Sequence, residues 1–295
     1  MTRLRPFRLH RPTTASEAIS LLREIGPDAV PYCGGTELLL VAKLGFTAFT
    51  DLVDLKQVEE LSGISDADGL RIGATTTHRQ IEHSQTVRAG WPTLALLERE
   101  VGNLRVRNVG TIGGNLAFAD PHSDPATFLT AVGGYVTIVG ADATRNVPIE
   151  EFVIAPYMTV LGHGELLESV HIPSLDPGDS VVHRKMSFHE RPAITVSVRV
   201  GVSDGAITRA RIAVGSVGPR VMRAPAAERQ LDGTQINGGA ASAIREAAAT
   251  AADEIDASAD ANGSVEYKRQ LVRVLTARAL NDALSQTGSA PVSLM

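Results

Sequence analysis

The feature that most constrains this chain is the stretch of residues 107–124, which reads RNVGTIGGNLAFADPHSD. Its adjacent glycines, Gly113 and Gly114, permit positive φ and can turn successive backbone amides towards one point, which forms a concave site for an anion. Thr111 and Asn115 add side-chain donors at the rim of this site. The stretch therefore indicates a loop that binds phosphate or pyrophosphate, although glycine pairs also mark ordinary turns and hairpins.

A second loop of the same design lies near the N-terminus. Residues 31–38 read PYCGGTEL, so a glycine pair again lies close to a threonine, which here follows the pair, and a carboxylate, Glu37, comes next. A strand is predicted over residues 29–32 and a helix over residues 38–44. The order of strand, glycine loop and helix directs backbone amides at a phosphate. Two such loops indicate two phosphates.

These loops belong to a longer pattern of six ordered blocks, and through them the chain resembles the FAD-binding medium subunit of the molybdenum hydroxylases, the family of carbon monoxide and xanthine dehydrogenases. The resemblance runs nearly end to end. The blocks are residues 31–38, 72–78, 107–124, 164–167, 215–224 and 264–269.

The resemblance implies an α+β fold. The expected architecture is a two-subdomain FAD-binding module of the PCMH/vanillyl-alcohol-oxidase type, followed by a C-terminal α+β domain with a three-stranded antiparallel sheet and helices. We expect the FAD-binding domain over residues 1–176, with subdomains of about 1–55 and 56–176, and the C-terminal medium-subunit domain over residues 179–288. Residues 173–178 are the predicted linker. The dinucleotide pattern Gly-x-Gly-x-x-Gly does not follow a predicted first strand, which argues against a nicotinamide cofactor bound in the usual way.

Periodicity predicts the elements around these blocks. Thr14 and Glu17 have the spacing of a capping box at the start of a first helix. Residues 194–200 alternate as a half-buried strand, and Asp204 and Gly205 turn the chain into a second strand over residues 207–214. Further helices are predicted over residues 93–101, 239–252 and 265–284. The last one carries a basic side formed by Lys268, Arg269, Arg273 and Arg278, which we interpret as a solvated face or a surface for a partner subunit.

The resemblance also implies which residues bind FAD. The two glycine loops would approach the pyrophosphate, Asp124 would bind ribityl or ribose hydroxyls, Val101 would lie near the adenine, and Leu167 and Lys185 would contact the flavin ring. A lysine there would favour negative charge on reduced flavin. The implied set is Pro31, Tyr32, Cys33, Gly34, Gly35, Thr36, Glu37, Leu38, Val101, Thr111, Ile112, Gly113, Gly114, Asn115, Asp124, Leu167 and Lys185.

Some of these residues have simpler interpretations. Asp124 precedes a proline and suits a helix cap, and Lys185 suits a solvent-facing strand position. Cys33 stands where the family usually has alanine, and a buried free cysteine packs as a small hydrophobe. The stretch of residues 189–195 departs from the family pattern, which puts flavin contacts there in doubt.

Composition narrows the classes of partner. The formal net charge of −5 over 295 residues gives no general field for nucleic acid or an anionic membrane. The single cysteine excludes an intrachain disulfide and a cysteine-ligated iron–sulfur cluster built from this chain alone. The histidines show no metal-ligand spacing beyond the proximity of His183 and His189. No apolar signal peptide or membrane span is predicted, so we expect a cytoplasmic location.

The function implied by the resemblance is electron transfer through bound FAD. A large molybdopterin-binding subunit would oxidise the substrate, a small subunit with [2Fe–2S] clusters would relay electrons, and an external acceptor such as NAD, a quinone or oxygen would receive them. Family members commonly form a dimer of heterotrimers. This chain would then supply no catalytic acid, base or nucleophile. The alternative is a self-contained FAD-dependent oxidase or reductase with its own substrate pocket, for which Tyr157, Thr159 or His189 could serve as a donor.

Overall fold

The computed structural model describes residues 4–188, 191–236 and 240–287. It divides into two compact units. The first unit comprises the chain up to Ala119 together with Tyr135–Ile172, and the second comprises Asp120–Gly134 together with the chain from Pro173 onward. The boundary near residue 173 lies in the predicted linker, whereas residues 120–134 were predicted to belong to the FAD-binding domain. The predicted domain limits stay a prediction.

The first unit contains three sheets and a group of short helices. Up to Ala119 its elements are β1 (Arg8–His10), α1 (Ala15–Ile25), β2 (Ala29–Tyr32), α2 (Leu38–Lys43), β3 (Asp51–Asp54), β4 (Ile64–Ser65), β5 (Leu70–Gly73), α3 (His78–His83), α4 (Gln85–Gly90), α5 (Pro92–Glu100), α6 (Leu104–Val109) and α7 (Ile112–Phe118). Helix α8 (Asp124–Val132) follows and belongs to the second unit. The first unit then continues with β6 (Tyr135–Val139), β7 (Thr144–Pro148), α9 (Ile149–Phe152), β8 (Val153–Ala155), β9 (Met158–Thr159) and β10 (Leu166–Ile172).

The sheets of the first unit differ in strand direction. Strands β1, β3 and β2 form a parallel sheet in that order. Strands β4, β5, β10, β6 and β7 form an antiparallel sheet, and β8 and β9 form a small hairpin. Helix α1 begins as predicted, because the Thr14 side chain accepts a hydrogen bond from the Glu17 amide. Its buried residues Ala18, Ile19 and Leu22 share a core with Val53 of β3. The parallel sheet therefore presents the end of β2 to the first glycine loop.

A buried carboxylate fixes β1 to β3. Asp51 has no exposed surface and accepts hydrogen bonds from Arg8 Nη2 at 3.0 Å and from Thr50 Oγ1 at 2.6 Å. His10 Nε2 lies 2.6 Å from its Oδ1 atom. The hydrogen bond from Arg8, followed by those from His10 and Thr50, holds the pKa of Asp51 well below its usual range. The ionised form of Asp51 is therefore the form that the folded sheet stabilises.

The second unit is built on one antiparallel sheet. Besides α8, its elements are β11 (Asp179–Ser187), β12 (Pro192–Ser203), β13 (Ala206–Gly215), β14 (Met222–Arg223), α10 (Pro225–Leu231), α11 (Ala240–Glu254) and α12 (Val265–Gln286). The α+β fold class is confirmed. The three long strands are the expected sheet, and the two-residue strand β14 extends it by a fourth. The predicted hairpin is also confirmed, because Asp204 and Gly205 have φ of 51° and 74°, as a type I′ turn requires.

Strand β12 is buried on both faces rather than half-buried as predicted. Its residues Ile194, Val196, Val198 and Val200 join the core formed with α11 and α12. On the other face Thr195 bonds Thr127 of α8 at 2.8 Å between the two Oγ1 atoms. Arg199 donates from Nη1 to the Val132 carbonyl oxygen at the end of α8, at 3.2 Å. The polar face of the sheet is thus covered by α8, a helix that lies far away in sequence.

The basic side predicted for α12 is incomplete. Lys268 is buried and its Nζ atom lies 2.7 Å from Asp260 Oδ2, whereas Arg269, Arg273 and Arg278 are exposed as predicted. Lys268 was mistaken for a solvated residue because its ion-pair partner lies in the preceding loop. Among the helices of the described ranges, none combines the length and apolar character that crossing a membrane requires.

We predict that Asp51→Asn lowers the thermal midpoint of unfolding at pH 7. Because the pKa of Asp51 is depressed in the folded state, its contribution to stability is complete above the unfolded pKa of about 3.9 and is lost as the pH falls through the folded pKa. Thermal unfolding of the wild type and the variant between pH 7 and pH 3 measures this. The difference should start to shrink below about pH 4.

Asp28→Asn is the matched control, since Asp28 is exposed on the segment that leads into β2. It should leave the midpoint nearly unchanged at every pH. An Asp51→Asn difference that stays constant down to pH 3 would contradict the role of the ionised carboxylate.

Candidate functional site

The first glycine loop, residues 33–37, joins β2 to α2. Gly35 has a φ of 66° and therefore occupies the left-handed region that favours glycine. The backbone amides of Gly34, Gly35 and Thr36 donate to no acceptor within the described ranges. Three successive N–H groups on a glycine turn form the concave arrangement that binds anions in proteins. This loop therefore offers an open set of donors.

Gly34 also permits a close contact between backbones. A Cβ atom at this position would lie 2.2 Å from the Val109 carbonyl oxygen and 2.8 Å from the Gly110 Cα atom. Both neighbours are backbone atoms at the end of α6, so they cannot move aside as a flexible side chain can. The first loop is thereby placed directly against the segment that leads into the second glycine loop.

The second glycine loop, residues 111–115, was predicted as a loop but forms the N-cap and first turn of α7, so it uses its amides differently. Ile112 N–H donates to Thr76 O, Gly113 N–H to Ala74 O, and Asn115 N–H to Thr111 O. The Gly114 amide donates to the Thr111 side chain at 3.1 Å, which caps α7. The amides of residues 112–115 are therefore already engaged within the chain.

The glycine at position 113 is explained by a close approach. A Cβ atom there would lie 2.5 Å from Ala74 Cβ and 2.7 Å from the Ala74 carbonyl oxygen. The two glycine pairs thus differ in what they do in this structure. The amides of the first pair have no acceptor in the described residues, whereas Gly113 of the second pair lets α7 lie directly against Ala74.

Cys33 links the two loops. Its thiol lies close enough to the Thr111 side chain for that hydroxyl to lower the pKa of the thiol. Burial raises the pKa of Cys33 to about 11, and this effect outweighs the lowering by Thr111. The thiol is consequently neutral near pH 7, as expected for a cysteine that packs as a small hydrophobe.

His78 and Glu98 form a buried pair next to the second loop. His78, the first residue of α3, donates its backbone N–H to Gly110 O at 3.0 Å. Its ring Nδ1 lies 2.6 Å from Glu98 Oε2 of α5, and both side chains are buried. The sequence contained this histidine in one of the six blocks, but no spacing rule assigned it a partner twenty residues away.

The other residues of the first unit that the resemblance implies lie in or next to β2, α2, α5 and β10. Pro31 and Tyr32 end β2, and Leu38 begins α2 after Glu37. Val101 is buried at the end of α5, and its carbonyl accepts from Arg107 Nη1 at 3.2 Å. Leu167 is buried in β10 beside a bulge, opposite Ile138. Their contacts with a cofactor stay a prediction.

The second unit brings Asp124 and Lys185 together. The cap of α8 is Ser123, whose Oγ accepts from the Ala126 amide, and Asp124 is the first helical residue. Asp124 is 5% exposed, and Lys185 Nζ lies 3.0 Å from its Oδ2 atom. Two simpler interpretations are therefore wrong: Asp124 is not the helix cap, and Lys185 does not face solvent, because α8 covers this face of the sheet.

Two polar atoms in this cluster lack a hydrogen-bond partner. Asp124 Oδ1 and His183 Nε2 are 3.7 Å apart, both are buried, and neither makes a hydrogen bond within the described residues. The other ring nitrogen of His183 lies 2.7 Å from Ser197 Oγ. Buried polar atoms are normally satisfied, so an orphaned pair of this kind suits a ligand hydroxyl. The sequence did not predict that His183 and Ser197 join Asp124.

The structure does not test the predicted proximity of His183 and His189, because His189 and Glu190 lie outside the described residues. The possible donor role of His189 is untested for the same reason. Arg191 of the divergent stretch pairs with Asp120, at 2.9 Å between Nη1 and Oδ2. Within the described ranges, no group of three or more histidine, cysteine or acidic side chains is arranged to hold a metal ion.

Comparison with known families accounts for nearly the whole chain. Residues 5–175 match the FAD binding domain in molybdopterin dehydrogenase, and residues 185–283 match the CO dehydrogenase flavoprotein C-terminal domain. The carbon monoxide dehydrogenase medium chain of Hydrogenophaga pseudoflava is 30% identical over 94% of this chain and 96% of that protein. The glyceraldehyde dehydrogenase medium chain of Sulfolobus acidocaldarius is 28% identical over 94% of this chain and 98% of that protein.

Solved structures agree with this assignment. The carbon monoxide dehydrogenase structure from Hydrogenophaga pseudoflava, which lacks the Mo-pyranopterin moiety, contains a chain that superposes with a TM-score of 0.92 at 30% identity. The match covers 97% of this chain and 99% of that one. The resemblance inferred from the six blocks is confirmed. The chain belongs to the FAD-binding medium-chain family of the carbon monoxide and xanthine dehydrogenase type, and it is an FAD-binding oxidoreductase subunit.

Proposed function

We propose that this chain is the electron-transfer subunit of a molybdenum hydroxylase, in which electrons pass from the [2Fe–2S] clusters of a small partner subunit to an external acceptor. A large molybdopterin-binding subunit would act on the substrate. Bound FAD supplies the chemistry of accepting electrons singly and releasing them as a pair. The proposal rests on one observation: the successive backbone N–H groups of Gly34, Gly35 and Thr36 have no hydrogen-bond acceptor within the described residues. Such a set of free donors fits a pyrophosphate.

The proposed FAD-binding residues divide into two roles in the first unit. The amides of the first loop supply donors for the pyrophosphate, because they are uncommitted and lie on a turn that requires glycine. The second loop would contact the cofactor without donating these backbone amides, since the amides from Ile112 to Asn115 are already hydrogen bonded within the chain. We propose that the positions implied by the resemblance in this unit, residues 31–38, 101, 111–115 and 167, hold the cofactor.

In the second unit we propose that Asp124 and Lys185 act as a pair towards the cofactor. Asp124 Oδ1 is left without a hydrogen-bond partner while Oδ2 is bonded to Lys185, so one oxygen remains to accept from a ribityl or ribose hydroxyl. The ammonium of Lys185 is already partly neutralised by Asp124. Its effect on a reduced flavin would therefore be that of an ion pair rather than an isolated charge.

The alternative is a self-contained FAD-dependent oxidase or reductase. Of its candidate donors, Tyr157 is half-exposed, and its ring contacts Phe118 edge to face, with the ring centroids 5.3 Å apart. Thr159 lies in the adjacent strand β9, and His189 is outside the described residues. The match of the C-terminal region to the CO dehydrogenase flavoprotein domain supports the subunit function instead.

We predict that Gly34→Ala weakens FAD binding by at least about tenfold, a change of about 1.4 kcal/mol. The added Cβ would overlap Val109 O and Gly110 Cα, so the first loop must move away from the end of α6. Fluorescence titration of the FAD-free chain measures the dissociation constant. Gly90→Ala is the matched control, because a Cβ at Gly90 meets nothing within 4 Å. Equal FAD affinity in the Gly34→Ala variant and the wild type, with both folded, would contradict the assignment of this loop.

We predict that the FAD-loaded chain alone is not reduced by an organic substrate. The visible spectrum of the purified chain should stay oxidised when candidate substrates such as carbon monoxide, xanthine or glyceraldehyde are added without air. Bleaching should appear only after the proposed large and small partner subunits are supplied. Dithionite provides the control that the bound flavin is reducible. Direct bleaching of the isolated chain by a substrate would establish the self-contained oxidase instead.

A further inference from the structure

An arginine-lined cleft lies among four helices of the first unit. It has a volume of about 750 Å³ and is bounded by α3, α4, α5 and α6. Polar and charged residues form one part of its lining, and apolar residues form the rest. The lining residues are Arg79, Glu82, His83, Arg88, Pro92, Ala95, Leu96, Arg99, Leu104 and Arg107.

The cleft is strongly cationic in a chain that is acidic overall. Four arginines line it against a single carboxylate, Glu82, which leaves a formal excess of three positive charges. The formal net charge of the whole chain is −5. Such a local excess raises the free energy of the empty protein slightly and attracts anions. The scattered sequence positions of these arginines hid the cluster from sequence analysis.

Most of the guanidinium groups are held in place by the chain itself. Arg79 Nη1 donates to both carboxylate oxygens of Glu82 at 3.1 Å. Arg88 Nε donates to the Glu82 carbonyl oxygen at 2.9 Å, and Arg107 Nη1 donates to the Val101 carbonyl. These anchors use only part of the five N–H donors of each guanidinium, so each group keeps further donors that a ligand could use.

Arg107 and Arg99 show that the cleft contains fewer hydrogen-bond acceptors and carboxylates than its guanidinium groups could engage. The Nε atom of Arg107 is buried without a hydrogen-bond partner in the described residues, and it lies 3.6 Å from Glu82 Oε2. Arg99 makes no ion pair with any residue that the structure describes. Glu82 is already shared between Arg79 and Arg107, so it cannot compensate the remaining cations. The cleft therefore lacks negative charge that a ligand could supply.

We propose that this cleft binds a nucleoside diphosphate or a molecule that contains one, at a site separate from the glycine loops. Its volume lies within the range of small-molecule sites, about 300–1,000 Å³. Arginine forks match phosphate oxygens in bidentate geometry. Pro92, Ala95, Leu96 and Leu104 provide the apolar surface that a base or sugar requires. A bare phosphate would leave this apolar part of the cleft unused.

The site also adjoins a segment that the proposed cofactor site needs. Arg107 of the cleft lies on α6, and the last turn of this helix donates through Gly110 N–H to Val106 O. The same Gly110 is the backbone against which Gly34 packs. Among the described residues, the cleft side chains donate to neither glycine loop, although Arg107 donates to the carbonyl of Val101, a proposed cofactor position. The ligand of the cleft is therefore tested with FAD already bound.

Calorimetric titration of the FAD-loaded chain with ADP in low-salt buffer tests the proposal. FAD saturation removes the glycine loops as a competing nucleotide site. We expect a single ADP site that weakens as salt increases. Adenosine and inorganic phosphate should each bind at least about tenfold more weakly, since each satisfies only one part of the lining. Absence of ADP binding at millimolar concentration would overturn the proposal.

Three substitutions locate the site. Arg99→Gln should weaken ADP binding at least about fivefold, and Leu96→Glu, which adds a carboxylate to the cleft, should abolish it. Arg105→Gln is the matched control, because Arg105 is exposed on α6 outside the lining and should change the affinity by less than about twofold. All three variants should retain FAD, which shows that they are folded.

Each remaining result decides the question. Equal weakening by Arg99→Gln and Arg105→Gln would show a general charge effect and contradict a built site. Parallel loss of FAD in Arg99→Gln would assign the cleft to the cofactor instead. Binding of hexaglutamate as tight as that of ADP, with the same dependence on Arg99, would make the cleft a surface for an acidic polypeptide and overturn the nucleotide.

Discussion

The structure of the cofactor-binding unit depends on two close contacts between backbones. At Gly34 the first loop meets the carbonyl of Val109 and the Cα of Gly110, and at Gly113 the second loop meets Ala74. A side chain at either position would occupy space that already holds backbone atoms. The two contacts hold the end of β2 against the end of α6 and the start of α7 against Ala74. A loop packed in this way loses less conformational entropy when it binds an anion than a loop that must first become ordered.

The same contacts explain why two similar glycine pairs have different roles. In the second loop the amides of Ile112 and Gly113 donate to the carbonyl oxygens of Thr76 and Ala74, which holds the start of α7 against residues 74–76. In the first pair, Gly34 and Gly35 keep their amides uncommitted within the described residues. The proposed function follows from this difference. In that proposal one loop would offer donors to the pyrophosphate, the other would fix their position, and no residue of either loop would need to act on a substrate.

Local chemistry made some of the fold predictable. The Asp204–Gly205 turn and the capped first helix follow from residues within a few positions of each other, and both were predicted from the sequence. The glycine loops were also found, since their composition is itself the signal. The predictions that failed depend on distant segments. Thr195 and Lys185 were predicted to be exposed, but both contact residues of α8. Lys268 was predicted to lie on a basic surface, but it is buried and paired with Asp260. The arginine cleft required four helices to assemble before any excess of charge could be seen.

Amide hydrogen exchange of the two glycine loops, in the chain without and with FAD, distinguishes the loop that supplies donors from the loop that does not. Without FAD, a peptide over residues 33–38 should exchange rapidly, because Gly34, Gly35 and Thr36 have no internal acceptors, and a peptide over residues 112–115 should exchange slowly. FAD should slow exchange strongly in the first peptide and change the second only slightly. Protection that arises mainly in residues 112–115, or in neither loop, would contradict the claim that the first loop supplies the donors.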